Sequence, residues 1–413
     1  MPGSPPYKVA VIGGGAAGIT AAIAARRKGA IVTILESNQR IGKKILATGN
    51  GRCNLTNITT SMANYHGSNP RFAFSVLSQF GVEQTLDFFA RLGVAHKVKE
   101  EGKVFPFSLQ ASSVLDVLRY ELERIGVNVH CGAEVAGIAH NKSGFTLALK
   151  NGGEFQADRV IIATGGKAAP HFGSTGSGYA LALSLGHSIV EPFPALVQLK
   201  LSSGYLKQIK GIKFEGTAEV VLENQSLQAA SGEILFTEYG ISGPPILTLS
   251  RKAGECLKKN QSPWLKLVLL DSFTGGELEE LLAERFSNNP GKTLAFSFVG
   301  FINKQLSPVI LKEAGVDLNK AAGKVTASEL KKIAHILLDW RFPVTGTTSW
   351  PAAQVTAGGV DVNAINSKTL ESRIVPTLYF AGEVLDIDGD CGGYNLQWAW
   401  SSGFIAGESA AGA

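Results

Sequence analysis

The stretch Gly13-Gly14-Gly15-Ala16-Ala17-Gly18 stands between a short apolar run, Lys8-Val-Ala-Val-Ile12, and an alanine-rich segment ending at Lys28. A strand that runs through glycines straight into a helix needs a turn too tight for side chains. In such a turn Gly13 makes the bend, Gly15 admits a closely approaching group, and Gly18 lets the helix approach the strand. The backbone N–H groups at Ala16 and Ala17, with the helix dipole behind them, favour a phosphate. Gly29 stops the helix, and Ile31-Val-Thr-Ile-Leu35 reads as a second buried strand. Glu36 follows about twenty residues after the glycines, where a carboxylate accepts hydrogen bonds from a ribose. The first unit is therefore expected to be β-α-β and to bind a dinucleotide.

The segment after the acid discriminates between dinucleotides. Lys43-Lys44-Ile-Leu-Ala-Thr48-Gly49-Asn50-Gly51-Arg-Cys53-Asn54 is rich in glycine, amide and hydroxyl groups. Such a loop can follow a long cofactor from ribose across diphosphate toward an isoalloxazine ring. A nicotinamide dehydrogenase would continue into another β-α-β crossover. Two later strands end in small residues: Val160-Ile-Ile-Ala163-Thr164-Gly165-Gly166 and Leu378-Tyr-Phe-Ala-Gly382-Glu383. With the first strand they are expected to converge at the carboxyl edge of one sheet, the usual ligand position. Near the end of the chain, Gly392-Gly393-Tyr394-Asn395-Leu396-Gln397 reads as a helix start whose glycines allow close approach. Its N–H groups are expected to face the flavin pyrimidine edge, where reduction develops negative charge.

Other elements are read from periodicity. Ser112 to Ile125 is helical, Val127 to Cys131 a strand, and Phe145–Leu149 with Glu154–Ala157 a hairpin around Asn151-Gly-Gly. After Glu191-Pro-Phe-Pro194 the pattern becomes alternating and β-rich to about Asp271. Helices are expected at Glu277–Phe286 and Ser328–Trp340, with more helix between Thr293 and Ala314. Arg341 to Pro351 reads as a return linker. The expected division is an FAD-binding domain from 1–190 and 351–413, an inserted β-rich piece at 191–272, and a helical piece with its linker at 273–350.

Four motifs carry a resemblance over nearly the whole chain. They are Ala47-Thr-Gly-Asn-Gly-Arg-Cys-Asn54, Leu235-Phe-Thr-Glu-Tyr-Gly-Ile-Ser-Gly-Pro244, Gln354-Val-Thr-Ala-Gly-Gly-Val360, and Ala381-Gly-Glu-Val-Leu-Asp386 with Gly392-Gly-Tyr-Asn-Leu-Gln397. The sequence resembles the NAD(P)/FAD-dependent flavoprotein family that includes BaiN-like bile-acid reductases and aminoacetone oxidase. The resemblance implies one FAD per chain and an α/β fold: a Rossmann-like, two-dinucleotide-binding flavoprotein domain with an inserted β-barrel-like piece and a small helical piece. Ser37, Val135 and Asp386 join the candidate cofactor contacts. A looser similarity to fumarate-reductase flavoproteins lies in Gly173-Ser-Thr-Gly-Ser-Gly-Tyr179 and Gly186-His187. The chain departs from the family at Ser177, Glu238 and Cys391, where Asp, His and Thr are common.

Several features narrow the function. The scattered Cys53, Cys131, Cys256 and Cys391 form no CxxC pair, against a disulfide framework, a zinc site or a redox dithiol. Asp386, Asp388 and Asp390 lack the spacing of a calcium loop, so no metal is expected. His171, His187 and His335 are isolated and read as packed or surface residues. Tyr394 is the one weak candidate for a catalytic proton donor. A net charge of +5 without long basic runs argues against nucleic acid as the main partner. No signal sequence or membrane-length apolar run is found, so a cytoplasmic location is expected. No second GxGxxG occurs at 191–350, so a resident nicotinamide domain is not expected. The sequence thus points to an FAD-dependent oxidoreductase with non-covalent FAD and a small organic substrate at the isoalloxazine face. NAD(P)H or oxygen would be its redox partner. The competing reading is a redox sensor or an RNA-associated flavoprotein without rapid turnover.

Overall fold

In the computed structural model residues 6–412 are described, and the start of the Pro-rich lead lies outside them. Lys8–Ile12 is buried from Val9 onward because it runs through the centre of a parallel sheet covered on both faces. The order across that sheet is Leu378–Phe380, Arg159–Ile162, Lys8–Ile12, Ile31–Glu36 and Asn128–Cys131, every pair parallel. The glycine turn therefore emerges at mid-sheet. Glu36 lies on one side of it, and the ends of the two later strands lie on the other.

The first helix, Ala16–Arg27, and the closing helix, Tyr394–Ala411, pack together through small residues. A methyl on Gly403 would stand 2.3 Å from the Ala17 carbonyl oxygen, and one on Gly407 would stand 2.2 Å from that of Ala21. Trp398 and Trp400, on opposite faces of the closing helix, are both buried, and their indole N–H groups donate to the Gly382 and Leu55 carbonyls. The expected hairpin is present, with Glu154–Ala157 antiparallel to Gly144–Leu149, and Val135–Asn141 adds a third strand to it.

The chain divides into two compact units, one from the residues up to Pro194 together with those from Ala353, the other Ala195–Ala352. The second contains a closed barrel in the order Leu199–Leu201, Gly240–Ser242, Gln225–Phe236, Lys213–Leu222, Trp264–Val268 and Trp340–Thr347. The sixth strand corrects the linker reading of 341–351. Trp340, Phe342 and Val344 alternate inward, a period-2 signal interrupted by Pro343 and Gly346. A second correction concerns the β-rich stretch, which contains the helix Pro244–Lys258. Prolines occupy its first turn, where their missing N–H costs nothing, and Ile246, Leu249 and Ala253 line its buried face. The helices Gly275–Asn288 and Ala327–Leu338 both begin with Thr and Glu capping boxes, at Thr274/Glu277 and Thr326/Glu329. Leu294–Ser297 and Ser307–Glu313 supply the further helix between them.

Candidate functional site

Three glycines of the central turn differ in what surrounds them. Gly13 has φ +105°, and a side chain there would meet the Ala163 carbonyl oxygen at 2.5 Å. One on Gly18 would stand 1.9 Å from the Gly13 carbonyl oxygen. Both are closed by the protein's own backbone. Gly15 is open: its φ of −83° suits any residue, and no atom lies within 4 Å of where a methyl would stand. It is also the N-cap of the first helix, with no side-chain cap, so the helix end faces a space that suits an anionic diphosphate.

Glu36 is only 7% exposed. Its Oε2 accepts the Gly14 N–H at 2.7 Å, and its Oε1 accepts the Asn38 N–H at 2.7 Å, the Asn38 side-chain amide at 2.8 Å and the Ser37 hydroxyl at 3.2 Å. The side-chain donors of Ser37 and Asn38 are the ones a ribose hydroxyl can replace without moving the backbone. Asn38 was not singled out from the sequence, because a surface amide after a strand carries no distinct signal. The Ala133 N–H donates to the Glu36 carbonyl at 2.8 Å, which brings Val135 near the same strand end. On the other side of the turn, Thr164 sits where Gly178 leaves room, 2.0 Å from that residue's absent methyl, and Gly165 takes φ +74°.

The loop after the acid is unusual in its backbone. Gly49, Asn50, Gly51 and Cys53 have φ of +57°, +54°, +79° and +59°. Left-handed non-glycine residues cost free energy and persist where the surroundings fix them. Here the Cys53 N–H donates to the Thr48 carbonyl at 2.9 Å and the Thr48 hydroxyl to the Ile45 carbonyl at 2.7 Å. Lys43 Nζ donates to the His171 carbonyl, and Lys44 Nζ pairs with Glu383 Oε2, both at 2.8 Å. The other Glu383 oxygen accepts the Thr356 N–H at 2.9 Å. Thr356 Oγ1 in turn accepts the N–H groups of Lys167 and Ala168 at 2.8 and 2.9 Å. Thr356, on the strand Val355–Val360, thus ties the 167–168 loop to Glu383 and, through Glu383, to Lys44. From the sequence it was visible only as one letter of a family motif.

The start of the closing helix is held by contacts within the protein. Gly393 has φ +107°, and a side chain there would lie 2.6 Å from the Thr56 carbonyl oxygen. The close approach this glycine permits is thus to Thr56. Gln397 is fully buried: its amide donates to Thr85 Oγ1 and Ser401 Oγ, each at 2.8 Å, and its oxygen accepts from Thr56. Its side chain is committed within the protein. Asn395 likewise bonds the Gly389 N–H and the Gly389 and Asp390 carbonyls. Tyr394 is 7% exposed, edge-on to Tyr65, with its hydroxyl 3.4 Å from Thr59 Oγ1, which walls it off from solvent. Leu396 is partly buried against the core. Asp386 accepts the Ser68 N–H at 2.8 Å, and Gly382 bonds Ser402 and Trp398.

One of the buried polar atoms without a hydrogen-bond partner lies in the glycine-rich loop. Asn54 Oδ1 is buried without a hydrogen-bond partner and would stand 3.0 Å from a methyl on Gly393. A buried acceptor left unmade is costly, so a ligand donor at this point is its natural complement. The thiols offer no redox pair. Burial raises Cys53 to about 12 against a hydrogen bond with Thr48, and burial also pushes Cys391 up. All four cysteines are free. Among the described residues no group of three His, Cys, Asp or Glu could hold a metal ion, and no helix is long and apolar enough to cross a membrane.

Comparison with known proteins gives three findings. Residues 7–409 match the family described as HI0933-like protein Rossmann domain. A 3-dehydro-bile acid delta(4,6)-reductase of Clostridium scindens is 40% identical, the match covering 98% of this chain and 99% of that protein. A ribosomal RNA dihydrouridine synthase of Escherichia coli is 32% identical, with 97% of each chain covered. Among solved structures, a 3-ketosteroid delta1-dehydrogenase from Sterolibacterium denitrificans shares the fold at a TM-score of 0.52 and 13% identity, over 98% of this chain and 99% of that one.

Proposed function

We propose that this chain, which belongs to the HI0933-like Rossmann-domain family and is an FAD-dependent oxidoreductase, reduces a C=C bond conjugated to a carbonyl in a small organic substrate held at the isoalloxazine face. The observation that carries this reading is the 40% identity over essentially the whole chain to a reductase whose name specifies a 3-oxo steroid with ring double bonds. The uridine-saturating relative points to the same chemistry, since its target bond is also conjugated to a ring carbonyl.

The residues fit one non-covalent FAD. The open side of Gly15 and the first turn of the Ala16–Arg27 helix receive the diphosphate, and Glu36 receives the ribose. Asn54 offers its unpaired amide oxygen to a ring donor. When bound, the flavin supplies hydride transfer, while the protein orients the substrate and excludes water. NAD(P)H, docking transiently, would be the electron donor, and oxygen would be an alternative acceptor. We assign the FAD-binding part to 1–190 and 351–413 and a cytoplasmic location to the protein.

The purified protein should be yellow and should release FAD on acid or heat treatment. After anaerobic reduction with NADH or NADPH, its flavin should be reoxidised by a 4-ene-3-one steroid or a simpler cyclic enone, repeatedly as both partners are replenished. Reoxidation by uridine-containing ribosomal RNA alone favours the second reading, RNA modification. A single colour change that then holds favours a redox sensor. A colourless protein that takes up no added FAD removes the proposal.

A further inference from the structure

The turn before the closing helix contains a polar pair that the glycine loop and its acid do not account for. His66 Nε2 lies 2.7 Å from Asp390 Oδ1, with the two side chains 28% and 23% exposed. Because a carboxylate only accepts, Nε2 carries the hydrogen in this pair, and Nδ1 is the nitrogen left for exchange. The pair is held from behind. Asn64 donates its side-chain amide to Asp390 Oδ2 at 3.2 Å, and its carbonyl accepts the Asp390 N–H at 2.9 Å. Asn395, in the first turn of the closing helix, donates to the Asp390 carbonyl at 3.2 Å. The segments Tyr65–His66 and Asp388–Gly389 pair as antiparallel strands, which sets the register of the two residues.

Position gives the pair its meaning. A dinucleotide held at Gly15 and Glu36 would reach the glycine-rich loop, where the unpartnered Asn54 Oδ1 would stand 3.0 Å from a methyl on Gly393, three residues after Asp390. Two other donors, Tyr394 and His187, are poorly placed. Tyr394 is walled in by Tyr65 and Thr59, and His187 is buried against Ser372.

We propose that His66 is the proton donor of the reduction and that Asp390 is its positioning residue, an assignment that rests on the C=C reduction proposed above. One substrate carbon takes a hydride from the reduced cofactor, which is oxidised. Its neighbour takes a proton from His66 in the cationic form that carries a hydrogen on each ring nitrogen: the Nδ1–H bond breaks, a C–H bond forms, the electron pair of the broken bond stays on Nδ1, and the Nε2–H stays hydrogen-bonded to Asp390. Solvent then returns the proton to the partly exposed imidazole.

The test compares wild type, His66→Gln and His66→Ala in rapid-mixing experiments. General acid catalysis of this kind contributes about 100-fold or more. Flavin reoxidation by a cyclic enone should slow by that factor in both variants, and added imidazole should rescue His66→Ala. In His66→Gln, whose amide can still donate to Asp390, FAD affinity by titration and the melting temperature of the FAD-free protein should stay near wild type, so that a latch between the two strands is kept while the proton donor is lost. Undiminished reoxidation in His66→Gln overturns the assignment, as does a loss that tracks FAD affinity or melting temperature. If wild type itself reoxidises with no conjugated carbonyl, the proposed function has failed, an outcome distinct from failure of the His66 assignment alone.

Discussion

At the scale of single residues, the glycines of the central turn separate folding from binding. Gly15→Val should leave the melting temperature of the FAD-free protein nearly unchanged, because its φ is ordinary and its side is open. It should weaken FAD by at least about tenfold, or ~1.4 kcal/mol. Gly18→Ala should do the reverse, since its methyl would overlap the Gly13 carbonyl, and overpacking costs about 1–3 kcal/mol. Thermal melts of the FAD-free proteins beside flavin titrations check both. Glu36→Ala should cost roughly 1.5–3 kcal/mol of FAD affinity, the range for hydrogen bonds to charged groups, and flavin retention at matched folding measures it. Equal retention in Glu36→Ala and wild type would remove the ribose assignment. Gly393→Val, in contrast, meets the Thr56 backbone, so it should lower stability whatever it does to the flavin.

Between elements, a buried carboxylate joins two helices of the dinucleotide-binding unit. Glu121, on the helix Ala111–Arg124, accepts from Arg27 at the end of the first helix at 2.8 Å and from Arg124 at 2.7 Å, with its side chain 5% exposed. Burial works to raise its pKa, but hydrogen bonds from Arg124 and Arg27 outweigh that and hold it below the ordinary value. A lowered folded pKa means that the contribution to stability is full above the unfolded pKa, near 4.3. It is lost as pH falls through that value toward the folded one. The melting temperature should therefore drop on acidification from pH 5 to pH 3, and Glu121→Gln should flatten part of that drop. At pH 7 the variant should be less stable by about 1–3 kcal/mol, because charged hydrogen bonds are replaced by neutral ones. A melting curve series across pH with both proteins decides it.

For the molecule as a whole, the barrel unit has its own core, built from residues such as Leu199, Phe236, Leu267 and Trp340. A fragment spanning 195–352 should fold alone in one cooperative thermal transition and bind no flavin, as circular dichroism and flavin titration would show. How much of this was legible depends on the range of the forces involved. The β-α-β start, Glu36 at its strand end, the hairpin at Asn151 and the two capped helices of the second unit follow from local periodicity, caps and turn chemistry, which a linear sequence records directly. The strand at Trp340–Thr347 and the helix at Pro244–Lys258 were obscured because proline and glycine there have positional meanings that only the neighbouring backbone settles. The sequence by itself determined a dinucleotide turn, the acid beside it and an interruption of the α/β domain. Only the tertiary structure decided that Gly15 faces open space while Gly393 faces Thr56, that Gln397 is spent on Thr85 and Ser401, and that His66 meets Asp390 across 324 positions. Such pairings depend on where distant segments cross, and a single residue letter does not say which way its side chain will find a partner.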